Sequence, residues 1–312
     1  MDVVFNRVID VSNAINFPVK IFSICIILRY SPANMDALPY FLANIMVWNL
    51  MGNVLAVFLH VRPVYPSSCY ALNGPITLFT RNEQAAHVVF LAIFVCILNC
   101  AIGLTLAFSY RYVVFVYPYL IKRIARKGIF LVATIHISIW GIFVPPHYLY
   151  VMSYDEYPEK DDLPPRENTY CFWPYGWRKY ANVASFFTLI FAMTFVAVAS
   201  SVLLWRHLAK MKNLMSRQTI ELHRRTLMYL MVTTTVPLVF GGAPTLICVF
   251  ICLIPELPYA NEIIMASIAV MMNHGTLYAI VVIVTFKPYR KAARKLLRQL
   301  FCKSRNSVGT LF

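Results

Sequence analysis

Apolar positions along the chain gather into seven stretches long enough to cross a bilayer, and the polar residues gather between them. The stretches run approximately 3–28, 38–60, 85–110, 128–150, 181–205, 226–254 and 261–286, where a hydrocarbon core of ~30 Å needs about 20 residues per helix. None of them sustains the period-two alternation of a barrel strand, and backbone N–H and C=O groups in hydrocarbon must be paired within the protein. Helices are therefore predicted. The expected fold is an all-α membrane protein, a seven-transmembrane helix bundle over 1–286, with a short amphipathic cytoplasmic helix and tail over 287–312.

Composition agrees with the pattern. Of 312 residues 60% are hydrophobic and 13% charged, with a mean hydropathy of +0.64, whereas soluble domains run at roughly 45–50% apolar and about 25% charged. A soluble enzyme, a disordered chain and a small disulfide scaffold are excluded on these grounds. The formal charge of +15 would suggest nucleic acid in a soluble protein. Here the basic residues sit in short clusters between apolar stretches, so their role is to fix orientation, and no nucleic acid is expected as a partner.

With the N-terminus outside, most of the 28 Lys and Arg fall on cytoplasmic loops. These include Lys122, Arg123, Arg126 and Lys127 after the third stretch, Arg206 to Arg225 after the fifth, and Lys287 to Arg305 in the tail. The positive-inside rule then predicts an extracellular N-terminus, a cytoplasmic C-terminus and a multi-pass protein. Met1, Asp2 and Val3 carry no basic leader, so the first stretch is expected to remain as a span. The largest outer loop, about 151–180, is acidic and Pro-rich. No repeat of the first half in the second is evident, which counts against repeat-built transporters.

Polar residues inside the spans are the next signal. Asp10, Asn13, Asn16 and Lys20 recur at spacings of three, three and four, which puts them on one side of the first helix. That side should face the bundle, because an ammonium in lipid costs about 2.5–3.5 kcal/mol or more at the bilayer centre. Lys20 either snorkels to the interface or meets an ion or ligand. Asn44, Trp48, Asn49, Asn53 and Asn99 read as interhelical hydrogen-bond formers. His274, between Asn273 and Gly275, is expected to pack and hydrogen-bond or to touch ligand, while His60, His87, His136 and His147 are too dispersed to suggest a site.

Cys69 and Cys171 fall in the loops predicted to be extracellular, where the environment is oxidising. A bond between them would tie the acidic loop to the top of the third helix; unpaired thiols are the alternative. Cys25, Cys96, Cys100, Cys248 and Cys252 read as small core residues, and no His completes a metal set beside them, so no metal or cofactor is expected. Pro237 and Pro244, with Gly241 and Gly242 between them, should kink the sixth helix and mark a static bend or a hinge. After the seventh helix, Arg290, Lys291, Arg294, Lys295 and Arg298 share one side of an amphipathic segment suited to an anionic leaflet, and Cys302 beyond it is a candidate for palmitate. No phosphate loop, metalloprotease motif or nucleophile elbow is present, so catalysis has no sequence support.

Taken in order along the chain, a further set of residues resembles a known family. They are Ser31, Pro32 and Met35; Tyr40, Phe41, Leu42, Asn44 and Trp48; Tyr65, Pro66 and Cys69; Arg111 with Tyr112; Ser216, Thr219, His223 and Arg224; Pro237; His274 with Gly275; and Pro288, Tyr289 and Arg290. The chain resembles the nematode serpentine chemoreceptors, in the superfamily that holds the class H, I, D, J and Str receptors. That resemblance implies a seven-helix receptor for a small-molecule odorant or pheromone-like ligand, placed in the plasma membrane of sensory neurons and in their cilia, and signalling through a heterotrimeric G protein. Likeness to the wider rhodopsin-like receptors is architectural only. An acidic residue before Arg111, an Asp in the second helix and an Asn-Pro-x-x-Tyr pattern in the seventh are all missing, so no Arg-to-acid latch carries over.

The expected mechanism has ligand entering from outside between helices three, five, six and seven. Phe90, Phe94, Ile97, Phe187, Phe191 and His274 are the candidate lining residues, and their apolar character suits a small, largely apolar ligand. Arg111, Tyr112, Arg224, Arg225, Tyr289 and Arg290 are the candidate contacts for the G protein, exposed when the sixth helix swings at Pro237 and Pro244. The rival reading is a seven-helix ligand-gated chemosensory cation channel of inverted topology. An integral-membrane enzyme would need more membrane acids than Asp10 and Glu262.

Overall fold

In a computed structural model of the chain, residues 2–32, 35–79, 82–120, 128–158, 160, 163–211, 216–254 and 256–308 are described. The basic residues Lys122, Arg123, Arg126 and Lys127 lie outside that set, as does the side chain of Cys302. Seven long helices cross the fold. The first five are Asp2–Tyr30, Leu38–Leu59, Glu83–Val116, Gly128–Tyr150 and Trp177–Lys210. The sixth is built of Arg217–Pro237, Leu238–Gly242 and Ala243–Leu253, and the seventh is Ala260–Thr285. A further helix, Lys287–Val308, follows.

All seven are apolar and long enough to span a bilayer, and in none is more than 39% of the most apolar window buried within the protein. The remaining apolar faces need lipid as their solvent. The third and fifth helices each have 34 residues, about 51 Å at 1.5 Å per residue, so they project well beyond the hydrocarbon. The third starts where Asn82 accepts a hydrogen bond from the Gln84 N–H at 2.9 Å, with Glu83 in the first turn to complement the helix dipole.

The main core joins the first, second, third, fifth, sixth and seventh helices with the C-terminal one, through residues such as Ile26, Leu42, Phe108, Leu204, Leu227, Tyr278 and Tyr289. Close approach of the second and third helices depends on Gly103, where a Cβ would stand 2.7 Å from Ile45 Cγ1 and 3.2 Å from Asn44 Nδ2. The C-terminal helix buries Tyr289, Ala292 and Ala293 against the bundle. Lys291, Arg294, Lys295 and Arg298 share its open face.

The helical bundle expected from the chain is present, and one element is added to it. A four-stranded antiparallel sheet covers one end of the bundle, in the order β1 (Val61–Val64), β2 (Cys69–Leu72), β4 (Thr169–Phe172), β3 (Val151–Met152). Its register sets Cys69 opposite Cys171 and Tyr70 opposite Tyr170, and the two cysteines are joined by a disulfide. Strands of two to four residues are too short for an alternating pattern to register. The acids and prolines of the 151–180 loop conceal β4, whose four residues are all buried.

The sixth helix differs as well. Pro237 and Pro244 bracket a π-helical turn, Leu238–Gly242, and the chain continues as helix on either side. A wide turn of this kind accommodates the missing proline N–H without breaking the rod. Pro18, Pro145 and Pro146 also sit inside helices.

Candidate functional site

Beneath the sheet, the third, fourth and fifth helices contribute a dense aromatic cage. Phe90 lies 5.2–5.5 Å, ring centroid to centroid, from Phe94, Tyr70, Tyr170 and Phe172, and Phe94 continues the contact to Phe143 and Phe186. Two buried histidines stand inside this cage. His87 meets Tyr170 and Phe172 edge-on at 5.2 and 5.0 Å, and His147 contacts Phe94, Phe143 and Phe172. His147 Nδ1 lies 3.3 Å from Asn182 Oδ1, the acceptor on the fifth helix, which fixes the proton on Nδ1 and leaves Nε2 as a lone pair.

That lone pair has no hydrogen-bond partner, and neither ring nitrogen of His87 nor the Tyr170 hydroxyl has one. Glu83 Oε1 approaches His87 Nε2 only to 3.7 Å while accepting from the Tyr154 N–H at 2.9 Å. Four unsatisfied polar atoms inside one apolar shell are expensive, since a buried group left unpaired costs about 1–3 kcal/mol. A polar group brought by another molecule could satisfy them. Burial pushes the sheet phenols Tyr65, Tyr70 and Tyr170 well above the usual tyrosine range, so all three stay protonated. Tyr65 Oη rests 2.8 Å from Cys252 Sγ at the end of the sixth helix.

The expected lining residues divide. Phe90 and Phe94 form the cage, and Ile97 and Phe187 pack with Phe94, Phe143 and Phe186 one turn deeper. Phe191 is 74% exposed and faces outward, because Phe186, Leu189 and Met193 hold the inward phase of the fifth helix. His274 lies elsewhere. Two of the four histidines read as dispersed, His87 and His147, come together, while His60 and His136 stay apart; Glu83, His87, Phe90 and Phe94 follow spacings of four, three and four along one helical face, the signal that would have found His87.

A second polar region lies between the first, second and seventh helices. Asn53 Nδ2 donates to Asn13 Oδ1 at 3.1 Å and to the Met272 carbonyl at 3.0 Å. Thr276 donates to Asn16 Oδ1 at 2.6 Å, and Asn16 Nδ2 lies 3.3 Å from Asn273 Oδ1. His274 Nε2 is 2.9 Å from Asn49 Nδ2, so Nε2 accepts and Nδ1 carries the proton toward the Met271 carbonyl. The His274 ring also faces Gly241, where an added Cβ would stand 3.5 Å away. One imidazole thus bridges the second helix and the π-helical turn of the sixth. Asp10 pairs with His60 at 3.0 Å.

At the opposite end, Arg111 is buried and its Nη2 donates to the Met35 carbonyl at 3.5 Å. The Asp36 carboxylate acts electrostatically on Arg111 and on His223. An acid near Arg111 therefore does exist, supplied by the turn between the first two helices and not by the third helix. Tyr289 Oη lies 2.8 Å from Ser31 Oγ and donates to Met35 Sδ at 3.7 Å, which anchors the C-terminal helix to the same turn.

The other coupling candidates do not converge there. Arg224 stacks on Trp205 at 4.9 Å, Arg225 pairs with Glu221 in solvent, and Arg290 Nη1 donates to the Val284 carbonyl at 3.2 Å. Tyr112 faces the Tyr117 ring at 6.1 Å. His223, half-buried against Phe115 at 4.5 Å, is the sixth-helix residue that turns toward Arg111. Among the described residues no group of three or more His, Cys, Asp and Glu is placed to hold a metal ion.

Comparison with known proteins adds one result. The family model described as "Serpentine type 7TM GPCR chemoreceptor Srh" matches residues 2–299, nearly the whole chain. No curated protein matches it as a relative.

Proposed function

We infer the role of this chain from its family: it belongs to the Srh serpentine 7TM GPCR chemoreceptors and is a membrane receptor, not an enzyme. Within that frame, the ligand is a small, largely apolar molecule carrying one hydrogen-bonding group. The carrying observation is the aromatic cage under the disulfide-tied sheet, where His87 and His147 hold buried, unpaired ring nitrogens. Aromatic walls supply apolar contact, and a hydroxyl or carbonyl on the ligand would meet the imidazoles.

The positive-inside bias supports an extracellular sheet end and a cytoplasmic Arg111 end, and membership of a chemoreceptor family supports a place in the plasma membrane and cilia of sensory neurons. Agonist shifts the population only as far as it binds the active conformer better. The moving part is the sixth helix, pivoting at Leu238–Gly242 and reported to the second helix through the His274 bridge to Asn49. Movement at the other end releases Arg111 from Met35 and Asp36 and presents it with His223 and Tyr289 to a heterotrimeric G protein.

The test is a panel of volatile and lipid-like compounds applied to cells expressing the chain, with G-protein activation and membrane current recorded together and an epitope tag at residue 1. Agonist-dependent G-protein turnover with the tag reachable on intact cells supports this reading. Current without G-protein turnover, and a tag reached only after permeabilisation, would replace it with the inverted channel.

A further inference from the structure

Lys20 is 0% exposed, at the middle of the first helix, and its Nζ has no hydrogen-bond partner. Its electrostatic neighbours are the Cys100 thiol on the third helix and His274 on the seventh. No Asp or Glu forms an ion pair with it among the described residues. The nearer acid of its own helix, Asp10, is ten residues away, about 15 Å along the axis, and is already paired with His60.

The surroundings repeat the same imbalance. Asn49 Oδ1 and Tyr278 Oη are also buried without partners. Both belong to the same neighbourhood, since Asn49 is bonded to His274 and Tyr278 interacts with Cys100. Cys100 Sγ is tied back to the Ile45 carbonyl at 3.5 Å, which closes the second helix onto the group. So one ammonium, one phenol and one thiol lie between four helices, with a single amide oxygen as the open acceptor. A charge buried there without a counter-ion is strongly disfavoured. Donors outnumber acceptors, and the missing component is an acceptor that carries negative charge.

We propose that Lys20 is the cationic pole of an internal site for a small monovalent anion such as chloride, enclosed by the first, second, third and seventh helices. The anion takes its principal contact from Lys20 Nζ, with the Tyr278 hydroxyl as a further donor, and a water joins it to Asn49 Oδ1. This site is distinct from the aromatic cage and does not depend on the identity of the agonist. Because the first and seventh helices both line it, occupancy ties them together and stabilises the folded receptor by mass action.

The test uses the full chain purified into lipid nanodiscs, with thermal unfolding followed at constant sodium while chloride replaces gluconate. The midpoint should rise saturably, by several degrees, in wild type, and bromide should substitute for chloride. Lys20→Met should unfold at a midpoint independent of chloride, whereas Lys20→Arg should keep the dependence. Should Lys20→Met not fold, Tyr278→Phe serves in its place and should raise the half-saturating chloride several-fold. A wild-type midpoint that ignores chloride would overturn the proposal. So would a Lys20→Met or Tyr278→Phe protein with unaltered chloride dependence, because the anion would then bind elsewhere.

Discussion

Gly275 on the seventh helix meets Asn49 on the second so closely that a Cβ at Gly275 would stand 1.6 Å from Asn49 Oδ1. Asn49 in turn holds His274, the next residue back along the seventh helix. The absence of a side chain at 275 is therefore what lets this amide reach its imidazole. Gly275→Ala should destabilise the receptor by about 1–3 kcal/mol through overpacking. Thermal unfolding and surface expression measure the loss. Asn49→Ala in the same chain should recover part of it, giving a non-additive pair.

His147 and Phe191 make a matched pair of substitutions for the ligand site. His147→Phe keeps an aromatic in the cage while removing the free acceptor, and should weaken the agonist response about tenfold, near 1.4 kcal/mol, with normal surface expression. Phe191→Ala removes a side chain that faces outward and should leave the dose-response curve in place. A reversed order of effects would relocate the ligand.

Arg111→Ala should abolish G-protein activation while surface expression persists, because the contacts it removes are with Met35 and Asp36 in the turn between the first two helices. Arg225→Ala, which breaks only a solvent-exposed pair with Glu221, should change coupling less than twofold. Agonist-stimulated nucleotide exchange on a reconstituted G protein distinguishes the two.

Cys69→Ser should loosen the sheet. The bond closes a separation of 102 residues, worth ~4.7 kcal/mol in a free chain by loop entropy. Spanning helices already restrict the unfolded state, so a loss of about 2 kcal/mol is expected. A drop in unfolding midpoint, reproduced in wild type by a reductant, measures it.

The sheet phenols give a prediction in pH. Burial raises Tyr65, Tyr70 and Tyr170 above their unfolded value, about 10 for a free phenol. Stability from keeping them protonated is complete below that pH and is lost as the pH climbs toward their folded values. The unfolding midpoint should be flat in this respect through neutral pH and fall above pH ~10, and Tyr170→Phe should soften the fall.

The seven spans were legible in the chain because hydropathy over some twenty residues is a strong signal, although the third and fifth helices end beyond the expected limits, at Val116 and Lys210, and the sixth begins earlier, at Arg217, where a polar end carries the helix past the apolar stretch. The polar side of the first helix was legible in part: Asn13, Asn16 and Lys20 are buried against the bundle, whereas Asp10, expected on the same side, is exposed and meets the buried His60. The four short strands were hidden, since two to four residues carry no period and the hydrogen bonds of β2 with β4 join segments about a hundred residues apart. His87 and His147 escaped because a histidine in isolation says nothing about the aromatic rings that a different helix brings to it. His223 escaped for a related reason: basic charge marks a membrane face, but helical phase is what turns His223 toward Arg111 while Arg224 stacks on Trp205 and Arg225 stays in solvent.

The wide turn at Leu238–Gly242 bears on how such receptors diversify. It holds one residue more than an α-helical turn would, so everything after it is phased by about 100° relative to an unbroken rod. Beyond the turn, Ile251 packs in one cluster with Ala260 and Ile264. Deleting one codon in this stretch would rotate every later side chain of the helix onto a new neighbour while leaving the rest of the gene untouched. Duplicated copies could therefore acquire a different inner surface by a single in-frame indel, with no change in the residues they carry.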